Sequence, residues 1–328
     1  MATTGERAGG SGTFTVRAFG WAMLAALAAF MANSILTIWM GFPGAGGLLS
    51  RGEGGALAAL QLAIYAGLPL LAIVHVMRSG STTLRADAAR VSNFNAFLVR
   101  AAFWVVFLVG LGDAILSFLR VEGMLDGLVG AQLSGDLGRA QFRGPWFHVP
   151  LVLVGIVIGA VTRGLSVVWL AFLVVAAELF IVIARFVFSY EQAFMADLVR
   201  FWYGALFLFA SAFTLIEDGH VRVDLLYAGF SRRTKGLVNG LGAVFLGMAL
   251  CWTILVIGFA GKASIIASPI LVWEVTQAGF GMYVKYFMAG FLGVFAITMM
   301  IQFVAQMFDS FADRRGEPGG RETHSEMM

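Results

Sequence analysis

The sequence predicts an all-α, polytopic membrane protein of about eight transmembrane helices with both termini cytoplasmic, and three observations predict it. Of the 328 residues, 59% are hydrophobic and only 12% are charged, roughly half the charge that a water-facing surface carries. The apolar residues gather in stretches close to the roughly 20 that a helix needs to cross the hydrocarbon core. The basic residues sort unevenly between the two sides of those stretches. A mean hydropathy of +0.86 agrees. The net charge of +3 is too small to mark a nucleic-acid surface, and basic loops beside a bilayer account for a pI of 9.2. The single cysteine, Cys251, lies in an apolar run, which leaves no disulfide framework and no cysteine-based metal site.

Taken in order, the spans are Phe19 to Met40, Leu57 to Met77, Ala101 to Leu119, Trp146 to Val161, Leu165 to Ala184, Leu198 to Ile216, Leu237 to Ala260 and Tyr286 to Met307. The first is longer than a signal-peptide core and no A-x-A-like site follows it, so it reads as a retained helix. The fourth and fifth are separated only by Thr162, Arg163 and Gly164. One continuous helix here would run about 60 Å, twice the core thickness, so the pair reads as a tight hairpin. A single bent helix would instead leave seven spans. With the N-terminus inside, 14 of the 22 Lys and Arg residues fall on the cytoplasmic side and 8 on the other. The seven-span alternative inverts half the chain and spoils that count, which favours eight.

Four regions follow. Residues 1–18 are Gly-rich and read as a disordered cytoplasmic start, 19–164 as a four-helix membrane extension, 165–308 as a four-helix core, and 309–328 as a polar cytoplasmic tail. The outer stretch from Arg120 to Gly144 mixes Gly, acidic and apolar residues and has room for a short interfacial helix.

Ionisable residues inside spans are functional candidates, because a carboxylate at mid-bilayer costs about 2.5–3.5 kcal/mol even on a lenient scale. Asp113 and Glu178 are the two that stand out. They read either as an ion or proton relay or as interhelical glue, and relays usually need a longer chain of partners. The histidines His75, His148, His220 and His324 sit at helix ends, in a loop and in the tail. No two can face each other at mid-depth as haem ligands. The sequence holds no HExxH, GxSxG or Walker-type motif, so it offers no starting residue for an enzyme, and it implies no cofactor or metal. Pro69 breaks the second span and has no counterpart in a second repeat, unlike the paired broken helices of carriers. Gly155/Gly159 and Gly236/Gly240 have GxxxG spacing and read as helix-packing sites.

The loop after the sixth span, Glu217-Asp218-Gly219-His220-Val221-Arg222-Val223-Asp224-Leu225-Leu226-Tyr227 and on to Ser231-Arg232-Arg233, alternates polar and apolar residues and ends in basic ones. By composition it is an interfacial elbow that can meet anionic head groups and dock a partner.

Arg185-Phe186-Val187-Phe188, His220-Val221-Arg222-Val223-Asp224 and Ser231-Arg232-Arg233, in this order and sidedness, resemble the small permease subunit (DctQ-type) of TRAP transporters, the tripartite ATP-independent periplasmic systems. The resemblance covers roughly Leu165 to Met307. It departs where the family has a Trp and paired acidic residues before its second core helix, reduced here to Glu191 and Asp197. The four preceding spans are absent from ordinary small subunits. The resemblance implies a multi-pass protein of the bacterial inner membrane with two partners besides lipid: a large (M-type) permease subunit and a periplasmic substrate-binding protein. It implies that this chain scaffolds the elevator-type permease for ion-coupled import of an organic acid, with Arg185, Phe188, Glu191, Asp197, His220, Arg222, Asp224, Arg232 and Arg233 as motif residues. On that reading the core, without residues 1–144, still binds the permease. The rival reading is a self-sufficient carrier or channel using Asp113 and Glu178.

Overall fold

In a computed structural model, residues 11–51, 55–163, 168–216, 227–275 and 281–320 are described. They are helical, with no strand among the described residues. The helices are α1 (Ser11–Ile38), α2 (Ala45–Arg51), α3 (Gly55–Arg78), α4 (Leu84–Val121), α5 (Leu125–Val129), α6 (Ala131–Leu137), α7 (Ala140–Arg143), α8 (Val149–Val161), α9 (Val168–Phe188), α10 (Ala193–Ile216), α11 (Arg232–Gly242), α12 (Ala249–Gly258), α13 (Ala267–Leu271) and α14 (Lys285–Arg315). A π-helical turn at Gly144–His148 joins α7 to α8, and another at Ala243–Met248 joins α11 to α12. Counting each joined pair once, the described residues contain eight helices long and apolar enough to cross a membrane. The chain is a multi-pass membrane protein.

Span boundaries shift from the sequence expectation mainly by growing past the bilayer. The third span begins at Leu84, with Arg85, Asp87 and Arg90 in its first turns, so α4 is about 57 Å long at 1.5 Å per residue. The last span continues to Arg315, through the first seven residues (309–315) of the stretch expected to be a polar tail. α8 ends where Thr162 turns extended (φ −81°, ψ 141°), which separates the fourth and fifth spans into two helices. Pro69 does not break its span: α3 continues through it. Transmembrane helices tolerate proline because neighbouring groups and local backbone adjustment re-satisfy the carbonyl it leaves without a donor. The stretch expected to hold one interfacial helix holds three short ones, α5 to α7. The Gly-rich residues 1–10 and the last residues, 321–328, lie outside the described residues.

Two compact units divide the chain, and the boundaries fall inside α4, α12 and α14. The first unit takes Met1–Phe94, His220–Thr253 and Met299–Met328. Its α1 and α3 share a buried amide centre: Gln61 Nε2 donates to Thr37 Oγ1 (2.8 Å), and Gln61 Oε1 accepts from the Gly44 amide (2.8 Å). Arg17 and Asp87 form a buried ion pair (2.6 Å), and Arg17 also donates to the Ser79 carbonyl (2.6 Å) and hydroxyl (2.9 Å). An open groove of about 410 Å³ is lined by the apolar side chains of Ala32, Ala63, Ile64, Leu68 and Leu71 and by Gly67.

The second unit takes Asn95–Gly219 and Ile254–Thr298. Its core joins Phe103, Val106 and Val109 of α4 to Phe201, Trp202 and Phe209 of α10 and Phe291 of α14. Phe291 packs on Phe201 and on Phe209 with centroids 5.1 Å apart in each case, and Trp202 donates its indole N–H to the Val106 carbonyl (3.3 Å). Packing within this unit therefore runs across residue 164. The GxxxG glycines have a visible purpose: a Cβ on Gly155 would meet the Val105 backbone at 2.7 Å, and one on Gly159 would meet Ala101 Cα at 2.6 Å. Their absence of side chains lets α8 lie directly against α4, where dispersion between close backbones replaces the missing hydrophobic drive. In the first unit Gly236 and Gly240 do the same against Ser310, Phe311 and Arg314 of α14.

Candidate functional site

The second unit holds a charged centre that is closed off from its surroundings. Asp113 of α4, Arg143 of α7 and His148 of the following π-turn are all fully buried. Asp113 Oδ1 lies 2.6 Å from Arg143 Nε and 2.6 Å from His148 Nε2, and Oδ2 accepts from the Tyr283 amide at 2.8 Å. Arg143 Nε is off the hydrogen-bond axis, so that contact is an ion pair. The aligned bonds come from Nη2, to the Asp113 carbonyl (2.9 Å) and the Ser117 hydroxyl (3.0 Å). The guanidinium lies over the Tyr283 ring, 4.6 Å from its centroid, a placement that the ring's negative face favours. Tyr283 in turn accepts from Arg120 (2.7 Å) and donates to the Gly138 carbonyl (2.7 Å). A carboxylate only accepts, so His148 Nε2 carries the proton it gives to Asp113, and Nδ1 meets the Tyr286 hydroxyl.

This arrangement ties α4, the start of the fourth span and the start of α14 at one depth. Both Asp113 oxygens are engaged, which leaves no face for a passing ion. Removing one partner from such a pair costs about 3–5 kcal/mol, because the other charge stays buried. Arg143, Tyr283 and Tyr286 were not among the sequence candidates, and His148 was weighed only as a haem ligand. A usable signal was present: Asp113, Arg143 and His148 all fall at the same end of their spans.

Glu178 is in a different situation. It is exposed on α9, ten residues from either end of that helix, and it is not among the contacts of Asp113. The structure does not bring the two intramembrane carboxylates together.

The motif residues lie around the ends of α9, α10 and α11. Phe188 ends α9 and is exposed. Arg185 pairs with Glu191 (3.3 Å), both more than half exposed, an arrangement worth about 0–1 kcal/mol. Between them Ser189 has φ 51° and the Tyr190 amide bonds back to the Ala184 carbonyl (3.0 Å). That is the left-handed helix cap usually made by glycine. Tyr190 then donates to Glu122 (2.6 Å), and burial together with that carboxylate pushes its hydroxyl pKa up to about 12, so it remains a donor. Asp197, nearly buried, accepts from the Met282 amide (3.0 Å) and lies 3.4 Å from Arg200; it fastens the strap before α14 to α10.

In the first unit, Arg232 reaches Asp313 (2.8 Å), and Arg85 reaches the same carboxylate (2.6 Å). Ser231 caps α11 by accepting from the Thr234 amide. Arg233 is exposed. His220, Arg222 and Asp224 lie outside the described residues.

Residues 171–313 match the family described as tripartite ATP-independent periplasmic transporters, DctQ component. Neither the curated proteins nor the solved structures contain a match to the chain. The matched stretch begins in the first turn of α9 and ends in the last turns of α14, so it takes in the last four spans and none of the first four. The last four spans, residues 171–313, are thus similar to the DctQ component of the TRAP transporters, on a chain that carries four more spans ahead of them.

Proposed function

We propose that this chain is the stationary membrane scaffold of a TRAP-type secondary transporter in a bacterial inner membrane, with both termini cytoplasmic. It holds the large M-type permease subunit, whose elevator motion carries the substrate, and helps dock a periplasmic binding protein for ion-coupled import of an organic acid. The observation that carries the reading is the DctQ match over the last four spans. Two structural facts support it. An elevator needs part of its bundle held still, and ion-paired ties such as Asp113–Arg143 and glycine contacts such as Gly155 on Val105 resist sliding between helices. A solute path needs an accessible polar group in the interior, and the charged centre at Asp113 is closed.

The test is reconstitution. Vesicles containing only this chain should take up no organic acid, and the tagged chain should bring down a large permease subunit from its native membrane. Uptake by the chain alone, or purification without any permease, ends the proposal.

A further inference from the structure

We propose that the exposed face of α9 centred on Glu178 is a docking face for a transmembrane helix of another chain, one that presents a lysine or arginine at mid-bilayer. The inference rests on the small-subunit reading and names the surface through which the large permease is held. α9 is 21 residues long, about 31 Å and therefore matched to the hydrocarbon core. Glu178 sits at its midpoint and is exposed, flanked on the same face by exposed Val175 and Val182. No residue of the described chain makes a hydrogen bond or ion pair with it. The basic residue on its own face, Arg185, is two turns away and engaged with Glu191.

A carboxylate facing acyl chains at this depth is among the least tolerated placements in a membrane, and intramembrane charges accordingly face protein. The described residues supply no counter-charge to Glu178, which points to one from another chain. A second copy is a poor source: a two-fold dimer through this face places the same residue opposite itself, bringing two Glu178 carboxylates to one depth. Charge complementarity therefore selects a different partner with a basic residue.

The experiment uses the full chain in native membranes, co-expressed with the large permease subunit. A photoreactive residue at Val175 or Val182 should crosslink to a large-subunit transmembrane segment containing Lys or Arg. Glu178→Gln and Glu178→Lys should reduce the co-purified large subunit by about tenfold or more, equivalent to about 1.4 kcal/mol. Glu178→Asp should retain it. Changing the crosslinked cation to Glu should restore binding to the Glu178→Lys chain. Since Glu178 is exposed, unchanged yield and elution of the variants show that folding is intact. Crosslinks only to lipid, crosslinks to a second copy, or full retention of the large subunit by Glu178→Gln overturn the docking face. If the wild-type chain brings down no permease yet crosslinks through Val175 to a basic transmembrane segment of another protein, the proposed function fails and the docking face stands.

Discussion

Replacing Asp113 with Asn tests the buried centre directly. The side chain keeps its shape and can still accept from the Tyr283 amide (2.8 Å). It loses the charge that faces Arg143 and His148 at 2.6 Å each. Arg143 is fully buried, and its remaining aligned bonds go to a carbonyl and a hydroxyl, so no second anion takes over. An uncompensated buried charge costs about 3–5 kcal/mol, or roughly two to four powers of ten in the folding equilibrium. Unfolding of the purified chain in mixed micelles, followed by tryptophan fluorescence, should show that loss. Arg143→Met alone should be comparably destabilising. The double variant Asp113→Asn/Arg143→Met should recover about 2 kcal/mol or more relative to the sum of the two, because neither charge is then stranded. An Asp113→Asn chain within about 0.5 kcal/mol of wild type, or strictly additive losses, would refute the ion pair as the tie between these spans.

Three further outcomes are expected. Gly159→Ala should lower thermal stability by about 1–3 kcal/mol through overpacking against α4, whereas Gly67→Ala, with open space around it, should not; equal melting of the two variants counts against close helix contact. Ser189→Gly should raise stability by about 0.5–1 kcal/mol, since glycine adopts φ 51° without strain, and Ser189→Val should lower it; melting curves of the two decide. Asp313→Ala removes the carboxylate that Arg85 and Arg232 share and leaves Arg85 only Asp309 and the Glu317 and Pro318 carbonyls. Amide exchange at residues 316–320 should then accelerate by about threefold or more while the spans keep their protection, and unchanged exchange there argues that the tail is held by other contacts.

Much of the architecture was legible because a bilayer imposes strong one-dimensional rules. Span number follows from apolar length, and the break between the fourth and fifth spans follows from thickness. The expected packing use of Gly155 and Gly159 reflects the same economy, since only small residues let helices touch in lipid. The span ends were less legible: the first turns of α4 and the last of α14 are polar, and they are linked by ion pairs such as Arg85–Asp313 with partners 228 residues apart, beyond the reach of any local pattern. Pro69 does not end its span because a transmembrane helix can re-satisfy the backbone group that proline frees, and α3 continues through it.

By itself, the sequence determined that this chain carries eight stretches long and apolar enough to cross a membrane and that its last four spans resemble the DctQ subunits, because burial in lipid and a spaced motif both leave marks along the chain. Only the tertiary structure decided the fates of the two intramembrane carboxylates. Asp113 is enclosed by Arg143, His148 and the Tyr283 amide, while Glu178 is exposed, with no hydrogen-bond or ion-pair partner among the described residues. The physical reason is that the cost of a charge at depth depends on what stands opposite it, and what stands opposite is fixed by the way helices distant in sequence pack together.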